Sequence, residues 1–374
     1  MNRTHRIVPT YTGDVSGACS ALFELGGMVV IHDPSGCNST YNTHDETRWY
    51  DHDSLIFITG LVERDAVLGN DNKLVRDVVD AAGELHPRFV ALCNSPIPFI
   101  SGTDFVALAR LIERRAGVPC FYVPTNGMHD YVVGAGNALA AVAERFVDAR
   151  PRRAGSVNIL GATPLDLGVA GSHESLASFA RDAGFATISC WAMGSDLDDL
   201  SRAAEAEANL VVSACGLPVA RDLWRRFGTP YVVGFPMGGF ADVLADALRT
   251  AARTGTCAWP SRDARAARRD ALCVAVGEPV VMGSYAAAAE LAGQEPMRVV
   301  CPLEACDEAL GKGDVVVCGE EEVEAALAGA SLVVADQLYA PICPSTSTLV
   351  ALPHQALSGR NGWRDARDLT TLAF

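Results

Sequence analysis

Three cysteines stand where a chain of alternating strands and helices could bring thiols together. Cys37 follows the apolar run MVVIH (28–32), and Cys93 ends the run FVALC (89–93). Cys19 lies in GDVSGACSALFELGG, which we expect to form a glycine- and serine-rich turn that bends toward the other two. Ligands in open α/β sheets bind outside the carboxyl ends of the strands, so the three side chains can converge there. Such thiols could ligate a metal or serve as small apolar core residues, and the residues alone leave both interpretations open.

The remaining cysteines give no second metal motif. The chain has 12 cysteines among 374 residues, far below the ~8–10% that is typical of a disulfide scaffold. No CxxC pair occurs, so zinc-ribbon and thioredoxin interpretations lack support. We interpret the cysteines at or near other predicted strands as core residues: Cys120, Cys190, Cys215, Cys301 and Cys318.

Short β-branched runs alternate with alanine- and leucine-rich amphipathic stretches along the whole chain. Ten runs predict strands: 28–32, 89–93, 120–123, 157–160, 186–190, 209–213, 231–235, 298–301, 314–318 and 331–336. Their unbroken apolar character favours parallel strands that are buried on both faces. Helical spacing predicts helices at 105–115, 174–184 and 217–228.

This alternation predicts an α/β fold with several Rossmann-like, doubly wound parallel-sheet domains. An arginine- and proline-rich segment near residue 150 suggests the first domain boundary there. A basic stretch at 261–271, which we expect to be helical, suggests the second. We therefore expect three α/β domains, at 1–150, 151–262 and 263–374, the last including the C-terminal segment.

Composition and motifs exclude several function classes. The formal net charge of −15 argues against a nucleic-acid binder, which would need a basic face. The polar start of the chain lacks a signal-peptide core, and no apolar run approaches the ~20 residues that span a bilayer. We therefore expect a cytoplasmic protein without membrane contact. Neither GxxxxGK[ST] nor a GxGxxG after a strand occurs, so the chain should not hydrolyse ATP itself.

Two histidines are candidate proton donors. His44 lies in the polar tract NSTYNTHDETRWYDHDS (38–54), directly after Cys37, and His129 lies in PTNGMHDYVVGAG (124–136) after another strand of the same block. Histidine titrates in the range useful for acid–base catalysis. A solvated loop or a dimer contact explains the tract equally well. We interpret His32 as structural; His354 could line a cavity or pack against a helix.

Three segments together resemble the first block of nitrogenase component 1 proteins. They are GAC (17–19), HDPSGC (32–37) and ALCNSPIPFISGTDF (91–105). The stretches TGLVERDAVLGNDNKLVRDVVD (59–80) and ADQLYAPICPSTSTLVALPHQALSGR (335–360) are also similar to that family. The family includes both molybdenum–iron protein subunits, dark-operative protochlorophyllide reductase and chlorophyllide reductase. The order and spacing of the segments carry the resemblance, which spans most of the chain.

The resemblance implies that Cys19, Cys37 and Cys93 are the ligands of an electron-relay iron–sulfur cluster. Three thiols from one chain leave the ligand set incomplete, and in the family a partner subunit supplies the rest. It thus implies a homodimer or a heterodimer with a homologous subunit. A 4Fe–4S cluster and a P-cluster-like cluster both remain open. Electrons would come from a separate ATP-dependent iron–sulfur reductase, similar to the nitrogenase iron protein.

The chain also departs from the family pattern. The cysteine and histidine that hold the iron–molybdenum cofactor of nitrogenase have no convincing match, although Cys215 falls near the corresponding cysteine segment. We therefore do not expect a dinitrogen-reducing enzyme. Our leading hypothesis is a nitrogenase-like oxidoreductase component. The alternatives are a scaffold for metallocofactor assembly and a metal-free binding protein whose cysteines fill the core.

Overall fold

The computed structural model contains three parallel β-sheets that are covered by helices. It describes residues 5–8, 12–34, 46–49, 52–168, 171–263, 265, 271–304, 307–359 and 366–374. Every named strand pair in these sheets is parallel. The expected α/β fold class of Rossmann-like parallel sheets is confirmed, while the three domain boundaries stay a prediction.

The first sheet has the strand order β2-β1-β3-β4. Its strands are β1 (Met28–His32), β2 (Leu55–Ile58), β3 (Val90–Asn94) and β4 (Cys120–Val123). The helices of this part are α1 (Asp14–Leu22), α2 (Glu63–Leu68), α3 (Asn72–Leu85), α4 (Pro96–Ser101), α5 (Phe105–Ala116) and α6 (Tyr131–Phe146). Both central strands, β1 and β3, are buried along their whole length, as their apolar sequences require.

Local signals in the sequence set the ends of these helices. The Asp104 side chain accepts a hydrogen bond from the Ala107 amide at the start of α5, and Gly117 closes that helix with a φ of 69°. Asp130 caps α6 in the same way by accepting from the Val132 amide. The helix α6 is the first element after the carboxyl end of β4, where side chains with chemical roles can be presented, whereas α4 separates α5 from β3.

The second sheet has the order β6-β5-β7-β8. Its strands are β5 (Ser156–Leu160), β6 (Thr187–Cys190), β7 (Ala208–Val211) and β8 (Tyr231–Val233). The helices are α7 (Pro164–Leu167), α8 (Ser172–Asp182), α9 (Leu197–Ser201), α10 (Leu217–Phe227), α11 (Phe240–Thr254) and α12 (Pro260–Asp263). The expected helix over 261–271 is therefore present only to Asp263, and most of the rest lies outside the described residues.

The third sheet has the order β11-β10-β9-β12-β13. Its strands are β9 (Cys273–Val276), β10 (Met297–Cys301), β11 (Val315–Val316), β12 (Leu332–Ala335) and β13 (Thr348–Ala351). The helices are α13 (Pro279–Leu291), α14 (Gly319–Leu327) and α15 (Gln355–Ser358). Within the described ranges, no helix is both long enough and apolar enough to traverse a membrane.

Candidate functional site

Cys19 and Cys93 form a buried thiol pair beside the first sheet. Cys93 lies in β3, in register with Ile31 of the neighbouring strand β1, and Cys19 lies in α1. Both are completely buried. Burial raises the pKa of Cys93 to about 12. Burial also raises the pKa of Cys19 well above its ordinary value, and the nearby Cys93 adds to that rise. The two thiols are therefore close enough to interact electrostatically.

The expectation that Cys19 lies in a turn is wrong, because Asp14–Leu22 is a helix. The glycine in this segment serves close packing instead of bending. A Cβ atom at Gly17 would come within 2.1 Å of the Tyr131 carbonyl oxygen of α6, and one at Gly134 within 1.7 Å of the Asp14 carbonyl oxygen. Glycine at both positions lets the two helix backbones touch. This contact with α6 fixes the position of the helix that carries Cys19.

Two predicted site residues, Cys37 and His44, lie outside the described residues. Among the residues that the structure describes, no group of three or more histidine, cysteine, aspartate or glutamate side chains is arranged to hold a metal ion. The roles of Cys37 and His44 therefore stay predictions, and the described part of the thiol site consists of Cys19 and Cys93.

The other histidines near the first sheet lie in contrasting surroundings. His129 is about half exposed, and its Nδ1 lies 2.8 Å from Glu304 Oε2. His32 is buried at the end of β1, with Nδ1 2.7 Å from Thr59 Oγ1. Burial lowers the pKa of His32 to about 4, so that it is neutral near pH 7. This position fits the structural interpretation of His32, whereas His129 is accessible.

A second cluster of polar side chains lies where the three sheets meet. The Tyr131 hydroxyl, at the start of α6, donates to Asp166 Oδ1 in α7. His354, just after β13, places Nε2 2.9 Å from the Tyr131 oxygen and 3.5 Å from Asp166 Oδ1. Each of these residues is buried. Each also follows the carboxyl end of a strand, from the first, second and third sheet respectively.

Glu278 and Cys215 extend this polar junction, which we define as Tyr131, Asp166, Cys215, Glu278 and His354. Glu278 accepts from the amides of Ala214 (2.8 Å) and Val281 (2.7 Å). Burial and the nearby Asp166 raise the pKa of Glu278 to about 8. Cys215 Sγ lies 3.1 Å from Ser213 Oγ, and burial raises its pKa well above the ordinary value. The junction thus combines two carboxyl groups, a phenol, an imidazole and a thiol away from solvent.

An apolar cavity of about 410 Å³ adjoins the junction at Tyr131. Leu303, Val323 and Leu357 contribute to its wall, and Glu320 also lines it. A cavity of this volume can bury a small organic molecule. The polar junction and the cavity therefore share one residue, Tyr131, whose hydroxyl is bonded to Asp166 and lies against His354.

The sequence of the chain matches the family model described as nitrogenase component 1 type oxidoreductase over residues 14–275. The chain belongs to this family. Similar curated relatives include the nitrogenase iron-molybdenum cofactor biosynthesis protein NifE of Clostridium pasteurianum, 23% identical over 59% of this chain and 51% of that protein. A light-independent protochlorophyllide reductase polypeptide from Nostoc punctiforme is 27% identical over 56% of this chain and 43% of that protein.

Solved structures of the component 1 family share the fold. A structure of nitrogenase Cp1 at pH 6.5 aligns with a TM-score of 0.69 at 16% identity, over 94% of this chain and 87% of the other. A second, at pH 5, aligns with a TM-score of 0.59 at 15% identity, over 87% of this chain and 72% of the other. The alignments to the curated relatives named above cover only about half of their length.

Members of the component 1 family bind iron–sulfur clusters, and Cys19 and Cys93 are of the residue type that could supply part of such a ligand set. Thiolates are the usual protein ligands of these clusters, and the two thiols are near enough that Cys93 raises the pKa of Cys19. Neither Cys19 nor Cys93 is used in a disulfide. Deprotonating two buried thiols is unfavourable without a cation, so a positive iron centre would stabilise the charged form. The pair supplies part of a ligand set and needs further donors.

Sequence reasoning missed three members of the polar junction, Asp166, Glu278 and Tyr131. Asp166 and Glu278 follow the strands β5 and β9 within six residues, in the segments GATPLD and VGE. The same strand-end rule that selected the cysteines would have selected both carboxyl groups. Their mutual approach depends on how the second and third sheets pack, which no local pattern encodes.

Proposed function

We propose that this chain is an oxidoreductase component in which Cys19, Cys37 and Cys93 hold an iron–sulfur cluster. Electrons would arrive from an ATP-dependent iron–sulfur reductase and leave for a substrate. The observation that carries the proposal is that Cys19 and Cys93 are fully buried in one core cluster and influence each other electrostatically, in a member of the component 1 family. A core-filling role explains burial, but it does not explain why the pair matches the family's cysteine segments.

When bound, the cluster would supply one-electron transfer, and the chain's residues would hold and tune it. Cys19 and Cys93 lie among apolar neighbours, which keep water away from the metal and thereby affect the reduction potential. A second subunit, identical or homologous, would donate the remaining ligands. Exposed apolar residues on α4, Ile97, Phe99 and Ile100, follow Cys93 closely and provide surface for that contact.

Protons for a reduction would come from His44 and His129, our two proposed catalytic residues. His129 is about half exposed, and its Nδ1 lies 2.8 Å from Glu304 Oε2. The polar junction lies deeper and would act on a substrate in the adjoining apolar cavity through Tyr131. The nature of the substrate stays open, because the names of the curated relatives point to two different activities.

Iron and acid-labile sulfide content, with electron paramagnetic resonance spectra, test the proposal on anaerobically purified protein. We expect the wild type to contain both elements, and Cys93→Ala and Cys37→Ala to lose most of the iron. Cys301→Ala is the matched control, because Cys301 is also fully buried at a strand end but lies in the third sheet. Equal iron in the Cys93 and Cys301 variants, or none in reconstituted wild type, would contradict the cluster.

The relatives named NifE favour a second function, a scaffold on which a metallocofactor matures. The same cysteines would serve it. The two functions differ in their product. An oxidoreductase component gives a reduced substrate only with a reductase and ATP, whereas a scaffold transfers a bound metallocluster to an acceptor protein without substrate turnover. Incubating iron-loaded protein with an iron-free acceptor, with and without reductase, distinguishes them.

A further inference from the structure

A buried ion cluster lies directly beside the thiol pair. Arg48 is 1% exposed, although arginine is almost never buried without partners. Its Nε donates to Glu46 Oε1 (2.7 Å), and Nη1 donates to Glu24 Oε1 (2.8 Å). Its Nη2 donates to the Ser20 carbonyl oxygen (2.8 Å). All three guanidinium nitrogens therefore have acceptors.

The ion cluster is hydrogen-bonded to Ser20, the residue next to Cys19. Arg48 Nη2 contacts both the carbonyl oxygen and the hydroxyl of Ser20, and the Ser20 hydroxyl donates to Glu46 Oε2 at 2.9 Å. Glu46 stands nine residues after Cys37 in the chain. The cluster thus ties the turn of α1 that carries Cys19 to the described segment 46–49.

The same cluster reaches the second sheet. Arg48 Nη1 donates to the Ala192 carbonyl oxygen at 2.8 Å, and the Gly194 amide donates to Glu24 Oε2 at 2.7 Å. Ala192 has a φ of 78°, a left-handed conformation that costs a residue with a Cβ on the order of 1–3 kcal/mol. The loop after β6 therefore adopts a strained backbone while its carbonyl meets Arg48.

We propose that Arg48 is a positioning residue for the thiol site, holding the Cys19 turn of α1 between segment 46–49 and the loop after β6. This inference rests on the proposed function. Lysine cannot replace it, since a single ammonium lacks the planar fork that reaches Glu46, Glu24 and Ser20 at once. The fixed turn keeps Cys19 facing Cys93, so that a metal meets preformed ligands.

The test compares substitutions at two buried arginines and measures the exposure of two cysteines to alkylation. Arg265 pairs with Asp314 beside the third sheet, and both side chains are nearly as buried as those of Arg48 and Glu46. Arg265→Lys therefore damages one buried ion pair, whereas Arg48→Lys damages the pairs with Glu46 and Glu24. In metal-free protein, alkylation by iodoacetamide followed by mass spectrometry reports the exposure of Cys19 and, as an internal reference, of the equally buried Cys301.

We expect Arg48→Lys to speed alkylation of Cys19 at least about tenfold relative to Cys301, equivalent to a loss of about 1.4 kcal/mol in local opening free energy. The same variant should lose most of its iron and sulfide, while Arg265→Lys keeps both. Ser20→Ala is a milder change, so it should also speed alkylation of Cys19 and lower the iron and sulfide content, but to a smaller extent.

If Arg48→Lys speeds the alkylation of Cys19 and Cys301 equally and retains iron as Arg265→Lys does, then Arg48 serves general stability. That result would overturn the inference. Absence of iron from the wild type and from both arginine variants would overturn the proposed function, and the inference with it. Only loss of iron confined to Arg48→Lys and Ser20→Ala, with selective exposure of Cys19, supports both.

Discussion

The thiol pair and the polar junction are both buried at strand ends, yet they are built in opposite ways. Cys19 and Cys93 lie among apolar side chains. The junction supplies its own partners, since Tyr131 donates to Asp166 and two backbone amides donate to Glu278. A polar group that is satisfied within the chain needs no ligand. The thiol pair has fewer such partners, since Thr125 hydrogen-bonds to Cys93 while both thiols belong to an apolar core cluster.

Both regions depend on the same helix–helix contact, the packing of α1 against α6. The helix α1 carries Cys19, and α6 begins with Tyr131. Gly17 and Gly134 let the backbones touch between them. The comparison therefore predicts that damage to this contact affects both regions, whereas changes inside either region stay local.

The largest effect is expected from Gly134→Ala. The added methyl group would overlap the Asp14 carbonyl oxygen, a backbone atom that cannot rotate away. Overpacking typically costs about 1–3 kcal/mol, and we expect at least the upper end here. Urea unfolding measures the free energy. Gly83→Ala is the control, because Gly83 lies exposed in α3 with nothing near its would-be Cβ, and there alanine should stabilise by up to about 1 kcal/mol. Similar changes in the free energy of unfolding for Gly134→Ala and Gly83→Ala would contradict the role of the contact between α1 and α6.

The second largest loss of stability is expected from Tyr131→Phe. It removes the hydroxyl that donates to Asp166 and leaves a buried acceptor without that donor, which costs about 1–3 kcal/mol. The loss should appear in urea unfolding but leave the iron content unchanged, because the thiol pair is untouched. Loss of iron together with stability would show that the two regions are not independent.

Glu278→Gln should alter the pH dependence of stability. The pKa of Glu278 is raised from 4.5 to about 8 in the folded chain, so the folded state holds a proton that the unfolded state releases in this window. The contribution of Glu278 to stability is therefore full below pH 4.5 and declines as pH rises toward 8. Thermal unfolding at several pH values should show a decline in wild type that is smaller in Glu278→Gln. Parallel curves for the two proteins would contradict the raised pKa.

The smallest change in stability is expected from His129→Gln. Its pair with Glu304 is about half exposed, and such pairs contribute at most about 1 kcal/mol. If His129 supplies protons as proposed, reductase-dependent turnover should fall by a factor on the order of 10²–10⁴ while the melting temperature barely moves. Unchanged turnover would remove His129 from the catalytic residues.

Sequence patterns predicted the parallel α/β fold because central parallel strands are unbroken apolar runs. Three strands were not predicted. The strands β2 and β13 lie at the edges of their sheets and are partly or largely exposed, so burial leaves a weaker apolar pattern in and around them. The strand β9 is different, because it is central, buried along its whole length and apolar, and its run CVAV fits the rule that found the other strands.

For the site, the strand-end rule placed Cys93 near the carboxyl end of a strand, where β3 has it, and the resemblance selected Cys19, while their role as ligands stays a prediction. The local conformation of Cys19 was mispredicted, since Gly17 suggested a turn while its real role is to admit the backbone of α6. The role of Arg48 was not predicted, and of the junction only Cys215 and His354 had been singled out, without their approach to Asp166. Arg48 stands in a polar tract that is typical of a solvated loop, and only packing against Ser20 and the loop after β6 buries it.

The two regions also differ in when ribosomal synthesis completes them. Both thiols of the described pair have been translated once residue 93 is added, and α6 is complete at Phe146. The junction cannot close until His354 has been added. At about 5–20 residues per second, translation separates the two events by on the order of tens of seconds. Within that interval the loop after β6 is complete at Gly194, so Arg48 and Glu24 can make their contacts with that loop while His354, which closes the junction, is still to be added.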